Sequence, residues 1–149
     1  MRQRTFSRLP IMLLLAGATA ALSACAGSDP TPSTIAILEN PQKVTLSAAQ
    51  LEVIRRDVDP YIRNAVAEGA ELDVATAEYT QLQAVSAGGK VYVCGYAKAM
   101  NIQIEVMRKL AFAGELFGSN LFLREYIGGN EGQNDFVRAV CAKRGMELS

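Results

Sequence analysis

The sequence predicts an α+β domain in which a small antiparallel sheet of about three strands packs against an N-terminal and a C-terminal helix. Three observations predict this class. Apolar residues recur at helical spacing near residue 50 and again near residue 140. Strand-like segments lie between residues 79 and 127, and a Gly88-Gly89 pair joins two of them. A chain of 149 residues suits one domain, which we place at residues 46–149.

The first helix has a well-marked start. Ser47 and Gln50 have the spacing of a capping box, and a stripe of apolar residues follows them at helical spacing. Pro60 interrupts the stripe, which predicts a kink or a restart of the helix with Asp59 as its N-cap. Gly69 is the expected end.

Three segments favour strands: Tyr79–Val85, Lys90–Ala97 and Leu121–Ile127. In the second, both alternating sets of side chains are rather apolar, which is typical of a strand covered on both faces. Asn101 to Ala113 fits a strand and a helix equally well. A last helix is expected from Asp135 to Arg144, with Asn134 as its N-cap and Gly145 as its stop.

The N-terminal residues 1–24 have the organisation of an export signal. Three arginines, the only charges in this segment, precede an apolar run from Leu9 to Leu22, which is too short to span a bilayer. The run ends in Leu22-Ser23-Ala24-Cys25, which resembles the lipobox of bacterial lipoproteins. That resemblance implies cleavage before Cys25 and attachment of diacylglycerol to its sulfur, usually with a third acyl chain on the new amino terminus.

Two or three acyl chains make membrane attachment durable. Ala26 stands where Asp would be the usual signal for retention in the inner membrane, so the resemblance implies an outer-membrane anchor with the domain facing the periplasm. Residues 25–45 are expected to form the lipidated Cys and a flexible tether, because Pro30, Pro32 and Pro41 lie among Ser, Thr and Asp. A short apolar patch at residues 35–38 could be an edge strand.

If Cys25 is lipidated, Cys94 and Cys141 remain as an even pair in an oxidising compartment. Neither belongs to a Cys-x-x-Cys motif, so a structural disulfide is favoured over redox chemistry. The chain has no His, which excludes imidazole-dependent triads and leaves two thiols short of a tetrahedral zinc site. We therefore expect no metal and no cofactor.

Charge excludes one class of partner. Without the three N-terminal arginines, the sequence has twelve basic and fifteen acidic residues. The exported part is therefore expected to lack the positively charged surface that binds nucleic acid. Residues 128–135 carry oxygen ligands but lack the Asp/Asn ladder and the distal Glu of a calcium loop, so a turn leading into a helix cap is favoured there.

The last eighty residues resemble a group of small exported bacterial proteins of unknown function. Those proteins carry a segment like L-K-D-P-x-S-A-x-F, then C-G-x-V-N-A-K-N, and finally a Cys shortly before a Gly. The residues that match this pattern are Asp73, Thr76, Ala77, Tyr79, Cys94, Gly95, Ala99, Asn101, Cys141 and Gly145. Because the group has no established activity, the resemblance implies an architecture and a disulfide but no mechanism.

Two classes of function remain open. The first and favoured one is a non-catalytic envelope lipoprotein that binds a protein, glycan or lipid partner or supports the outer membrane. Its possible binding surface is Tyr92, Tyr96, Lys98 and Asn101. Core or half-buried packing is the favoured alternative for the two tyrosines, which share a strand face with Cys94. The second is a small periplasmic enzyme that uses carboxylates, with Asp73 and Glu78 as candidates. Two converging carboxylates in a pocket would favour the enzyme, and a flat surface with an exposed apolar patch would favour binding.

Overall fold

A computed structural model describes residue 35, residues 37–62 and residues 72–149. These residues form, in chain order, β1 (Gln42–Lys43), α1 (Ala48–Ile62), β2 (Leu72–Ala87), β3 (Lys90–Asn101), β4 (Val106–Phe117), β5 (Leu121–Ile127) and α2 (Glu131–Lys143). The predicted export signal, Cys25 and Gly69 lie outside the described residues.

The strands form one antiparallel sheet in the order β1-β2-β3-β4-β5. The prediction of about three strands was therefore wrong, because the described residues contribute five. The ambiguous segment after Asn101 is a four-residue turn followed by β4. Its periodicity was ambiguous because β4 is buried on both faces over Leu110–Leu116, and such a strand is apolar at consecutive positions rather than at alternate ones.

Each face of the sheet carries one helix. On one face, Val93, Ala97 and Phe112 pack with Ile54 and Val58 of α1. On the other, Cys94, Tyr96 and Ala113 pack with Val137, Val140 and Cys141 of α2. The expectation that β3 is covered on both sides is confirmed. The result is a three-layer arrangement in which the sheet is the middle layer.

The predicted capping box opens α1. The Ser47 backbone N–H donates to Gln50 Oε1 at 2.9 Å, and the Gln50 N–H donates to Ser47 Oγ at 3.3 Å. The helix continues through Pro60 to Ile62, so no second helix begins at Asp59. Further along, Asp57 Oδ2 accepts the backbone N–H of Phe122 at 2.8 Å, which ties α1 to the first residues of β5.

The last helix begins earlier than predicted. Its N-cap is Asn130, whose side chain accepts the Gln133 N–H, and not Asn134. Asn134 lies inside the first turns and bonds to β4 instead. Sequence reasoning chose the second of two asparagines with similar capping propensity. Gly145, with φ of 78°, ends the helix as expected.

The described segment before α1, residues 37–47, contributes an edge strand to the sheet. Its edge strand is Gln42–Lys43, paired with Val85 and Ser86, and not the apolar patch at 35–38. Ile35 and Leu38 instead pack against the cluster beneath α2. None of the helices in the described part of the chain has the length and apolar character needed to cross a bilayer.

Candidate functional site

The two cysteines of the described residues are joined. Cys94 and Cys141 form a disulfide with an S–S distance of 2.08 Å and a Cα–Cα distance of 6.0 Å. Cys94 lies in the middle of β3 and Cys141 on the inward side of α2, and both are fully buried. The bond fixes α2 to the centre of the sheet. The predicted disulfide is therefore confirmed.

The four residues of the predicted binding surface do not share one surface. Tyr92, Tyr96 and Lys98 alternate along β3 on the α2 face, whereas Asn101 has the opposite parity and belongs to the α1 face. Tyr96 is fully buried, with the Lys109 ammonium 3.8 Å from its ring centroid. Asn101 is 2% exposed, so of the four only Tyr92 and Lys98 are partly accessible.

Asn101, at the end of β3, stabilises the turn that follows this strand. Its side-chain oxygen accepts the backbone N–H groups of Gln103 at 3.0 Å and of Ile104 at 3.4 Å. This is the local turn geometry for which Asn is favoured. The residue therefore shapes the β3–β4 turn.

The candidate carboxylates of an enzyme are placed apart along β2. Asp73 pairs with Met100 and accepts the Ala75 N–H, while Glu78 pairs with Lys98 beyond an irregularity in the strand. A cavity of about 710 Å³ lies elsewhere, between residues 43–46, the start of α1 and the edge of β2. Its lining contains no Asp or Glu from the described part of the chain.

That cavity is mainly aliphatic. Lys43 is the one charged residue in its described lining, and the apolar residues are Val44, Leu46, Leu51, Leu82, Ala84, Val85 and Met146. Among the described residues, no group of three or more carboxylate or thiol side chains is placed to hold a metal ion. Residues 128–135, which were considered as a calcium-binding loop, form the turn before α2 and the first residues of this helix.

An apolar patch is exposed at the end of the sheet where β4 turns into β5. It consists of Phe117, Leu121 and Leu123, whose exposed fractions are 46%, 49% and 53%. We call these three residues the sheet-end patch. Three adjacent apolar side chains, each about half exposed, are more than the single exposed residues that a surface ordinarily carries.

The register places the patch on the α2 face. Phe117 pairs with Leu121, and Glu115 pairs with Leu123. Glu115 also pairs with Tyr92, which has the same parity as the disulfide-bonded Cys94. The patch therefore lies on the same face as α2, just beyond the C-terminal end of the helix, where the helix no longer covers the sheet.

Charged groups border this patch. Lys90 Nζ lies 3.0 Å from Glu115 Oε2, and this hydrogen bond and the charge of Glu115 raise the pKa of Lys90. At the end of α2, Arg144 Nη2 lies 2.5 Å from Glu125 Oε2, and its guanidinium carbon lies 4.7 Å from the Tyr92 ring centroid. An apolar centre with a charged border is the arrangement found at protein–protein interfaces.

Sequence reasoning identified Tyr92 beside this surface but missed the patch itself. Leu121–Ile127 was predicted as a strand, yet its strand partner, β4, was unassigned, so nothing showed that Phe117 stands beside Leu121. The alternation of Leu121 and Leu123 with Phe122 was the available signal. Comparison of the chain with protein-family models, with curated proteins and with solved structures gave no match.

Proposed function

We propose that this chain is a lipid-anchored protein of the bacterial cell envelope that acts as a non-catalytic binding module. The anchor is the acylated Cys25 of the lipobox, and the domain faces the periplasm from the outer membrane. The sheet-end patch is the surface that binds a partner. The observation that carries this proposal is the set of three half-exposed apolar side chains on one face of the sheet, bordered by ion pairs.

The chemistry of the patch favours a folded protein over a glycan. A glycan is recognised largely by hydrogen bonds to its hydroxyl groups, whereas Leu121, Leu123 and Phe117 offer only apolar surface. Burial of such side chains at the centre of an interface contributes about 25 cal/mol per Å² of apolar area. The border pairs Lys90–Glu115 and Arg144–Glu125 supply the charge complementarity that selects one protein over another.

The disulfide suits a domain that presents such a surface. It fixes α2 to β3, and Arg144, the C-cap residue of α2, lies over Tyr92, next to the patch. The position of this border is therefore held by a covalent bond. A preorganised surface loses less conformational freedom on binding than a flexible one. No described contact favours the alternative of a carboxylate enzyme.

Site-specific photocrosslinking in living cells tests the proposal. A photoreactive phenylalanine analogue at Leu123 should give one discrete protein adduct, because this side chain would be buried by the partner. The same analogue at Ala142, which is exposed on the outer surface of α2, is the matched control and should give none. Leu121→Asp should abolish the adduct formed from position 123.

Three outcomes decide between the alternatives. An adduct at 123 that Leu121→Asp removes supports the binding module. Equal labelling from positions 123 and 142 would show that the patch is no binding surface. An adduct that survives Leu121→Asp would place the contact outside the patch.

A further inference from the structure

The turn between β3 and β4 is a second exposed apolar feature, at the opposite end of the sheet from the sheet-end patch. Two side chains of the turn and the first two of β4 are about half exposed: Ile102, Ile104, Val106 and Met107, at 48%, 53%, 48% and 42%. We call these four residues the β3–β4 tip. The sheet-end patch lies on one face of the sheet, but the tip has apolar side chains on both faces.

The tip is apolar on both sides. Val106 pairs with Asn101 and belongs to the α1 face, whereas Met107 pairs with Met100 and belongs to the α2 face. A flat protein surface could cover one of these faces but not both. A medium that surrounds the tip covers both, and a fluid lipid interface is such a medium.

The tip is also held in shape. Asn101 is buried and its side-chain oxygen accepts the N–H groups of Gln103 and Ile104, so the turn is bonded to its own base. Insertion of such a turn costs little conformational entropy. Gln103 and Glu105 lie between the apolar residues. Because burial of a carboxylate deep in the bilayer is unfavourable, the tip is expected to insert only to the boundary of headgroups and acyl chains.

The expected anchor brings the tip within reach of a bilayer. Ile35 is ten positions after Cys25, and ten extended residues span at most about 33–36 Å. The Ile35 carbonyl accepts a hydrogen bond from the Lys143 ammonium at the end of α2, close to the Cys94–Cys141 bond. Asn101 is seven residues along β3 from Cys94, about 23 Å at 3.3 Å per residue.

We propose that the β3–β4 tip inserts shallowly into the lipid bilayer that holds the anchor, so that the domain contacts the membrane at a second point. This inference goes beyond partner binding by the sheet-end patch, and it takes from the proposed function only the location at a membrane. Three basic residues lie at or beside the tip, Lys98, Arg108 and Lys109, and so do three acidic ones, Asp73, Glu78 and Glu105. Because these charges balance, apolar contact drives the insertion, and anionic lipid is not required.

The absence of Trp from the sequence makes a direct test possible. Ile104→Trp and Leu123→Trp each introduce a single Trp, at two positions that are both 53% exposed and lie at opposite ends of the sheet. The full chain, lipidated in its host and then purified, is reconstituted into phosphatidylcholine vesicles that contain brominated lipid, with and without phosphatidylglycerol. Circular dichroism and an intact disulfide confirm that each variant is folded.

We expect the Trp at position 104 to be quenched several-fold more strongly than the Trp at position 123, with emission shifted to shorter wavelength. The quenching should be equal with and without phosphatidylglycerol and should persist in high salt. Ile102→Asp in the Ile104→Trp background should reduce it to the level of position 123.

Equal quenching at both positions, stronger quenching at position 123, or none at either would overturn the inference. Quenching that requires phosphatidylglycerol would also overturn it, since it would assign the contact to charge. A shift of the emission of the Trp at position 104 to shorter wavelength in native envelopes but not in vesicles would indicate instead that another protein buries the tip. Crosslinking at Leu123 is read separately, so either proposal can fail while the other stands.

Discussion

The side chain of Asn134 in α2 completes the hydrogen bonding of β4 at Ala111. Its Oδ1 accepts the Ala111 N–H at 2.7 Å, and its Nδ2 donates to the Lys109 carbonyl at 2.8 Å. Since β5 ends at Ile127, opposite Phe112, β4 has no strand neighbour on its β5 side beyond that point, although β3 continues along its other side. The amide of Asn134 takes the place of a peptide group and joins the first turns of α2 to the sheet.

Replacement of Asn134 by Leu should lower the free energy of unfolding by about 1–3 kcal/mol, because it leaves the Ala111 N–H without an acceptor. Asn134→Asp should lower the free energy of unfolding by less, since a carboxylate still accepts the Ala111 N–H but cannot donate to the Lys109 carbonyl. Urea denaturation of the two variants measures the difference. An equal loss in both would show that the acceptor contributes nothing.

Removal of the disulfide should destabilise the domain substantially. Cys94→Ser and Cys141→Ser should each lower the free energy of unfolding by about 2–5 kcal/mol. The double variant should be little worse than either, because both changes break the same bond. Thiol labelling of the unfolded, unreduced mature protein should find no free Cys. Two labelled thiols in protein taken directly from cells would contradict a structural role for the pair.

The Tyr79 hydroxyl donates to Asp59 Oδ1 at 2.5 Å, between β2 and α1. Burial, and then this hydrogen bond, raise the pKa of Tyr79 above its usual value. The native state therefore keeps the proton at a pH where the unfolded chain loses it. The stabilisation is fully present below pH about 10 and falls as the pH rises above that value.

Tyr79→Phe should consequently lower stability by about 1 kcal/mol at neutral pH and flatten the loss of stability above pH about 10. Denaturation midpoints of wild type and variant, measured across the alkaline range, should converge. Parallel curves would show that Tyr79 does not titrate differently in the two states.

Gly114 and Gly132 should respond to alanine in opposite directions. A Cβ at Gly114 would collide with the Leu123 carbonyl oxygen and with the Phe122 ring, at the irregularity where β4 pairs with β5. Gly114→Ala should therefore destabilise the sheet. A Cβ at Gly132, in α2, would meet only Asn130 Oδ1 at 3.7 Å, and Gly132→Ala should stabilise by up to about 1 kcal/mol. Thermal unfolding of both variants checks the sign of each change.

The parts of the fold that sequence reasoning predicted are those with local signals. The capping box at Ser47, the turn at Gly88-Gly89 and the end of α2 at Gly145 are each fixed by a few neighbouring residues. The disulfide was predictable because only two cysteines remained. The start of α2 was missed by four residues, since Asn130 and Asn134 have equal capping propensity and only the contact with β4 distinguishes them.

Features that depend on pairing across the sheet were not predictable. The assignment of β4 needed both of its faces to be covered, and its pattern alone fits a helix as well. Tyr96 and Asn101 were included in a possible binding surface, although core packing was the favoured alternative for Tyr96. Their burial follows from the position of α2 and from the turn that Asn101 shapes. The sheet-end patch arises from the pairing of Phe117 with Leu121.

The mass of the mature N-terminus tests the central claim of a lipid-anchored module most directly. Protein purified from envelopes in detergent, digested and analysed by mass spectrometry, should yield a first peptide that begins at Cys25 and carries a diacylglyceryl group and a further acyl chain. In a Cys25→Ser variant that peptide should be missing, and the protein should accumulate as the uncleaved precursor. A mature chain that begins elsewhere, or one with an unmodified Cys25, would contradict the account.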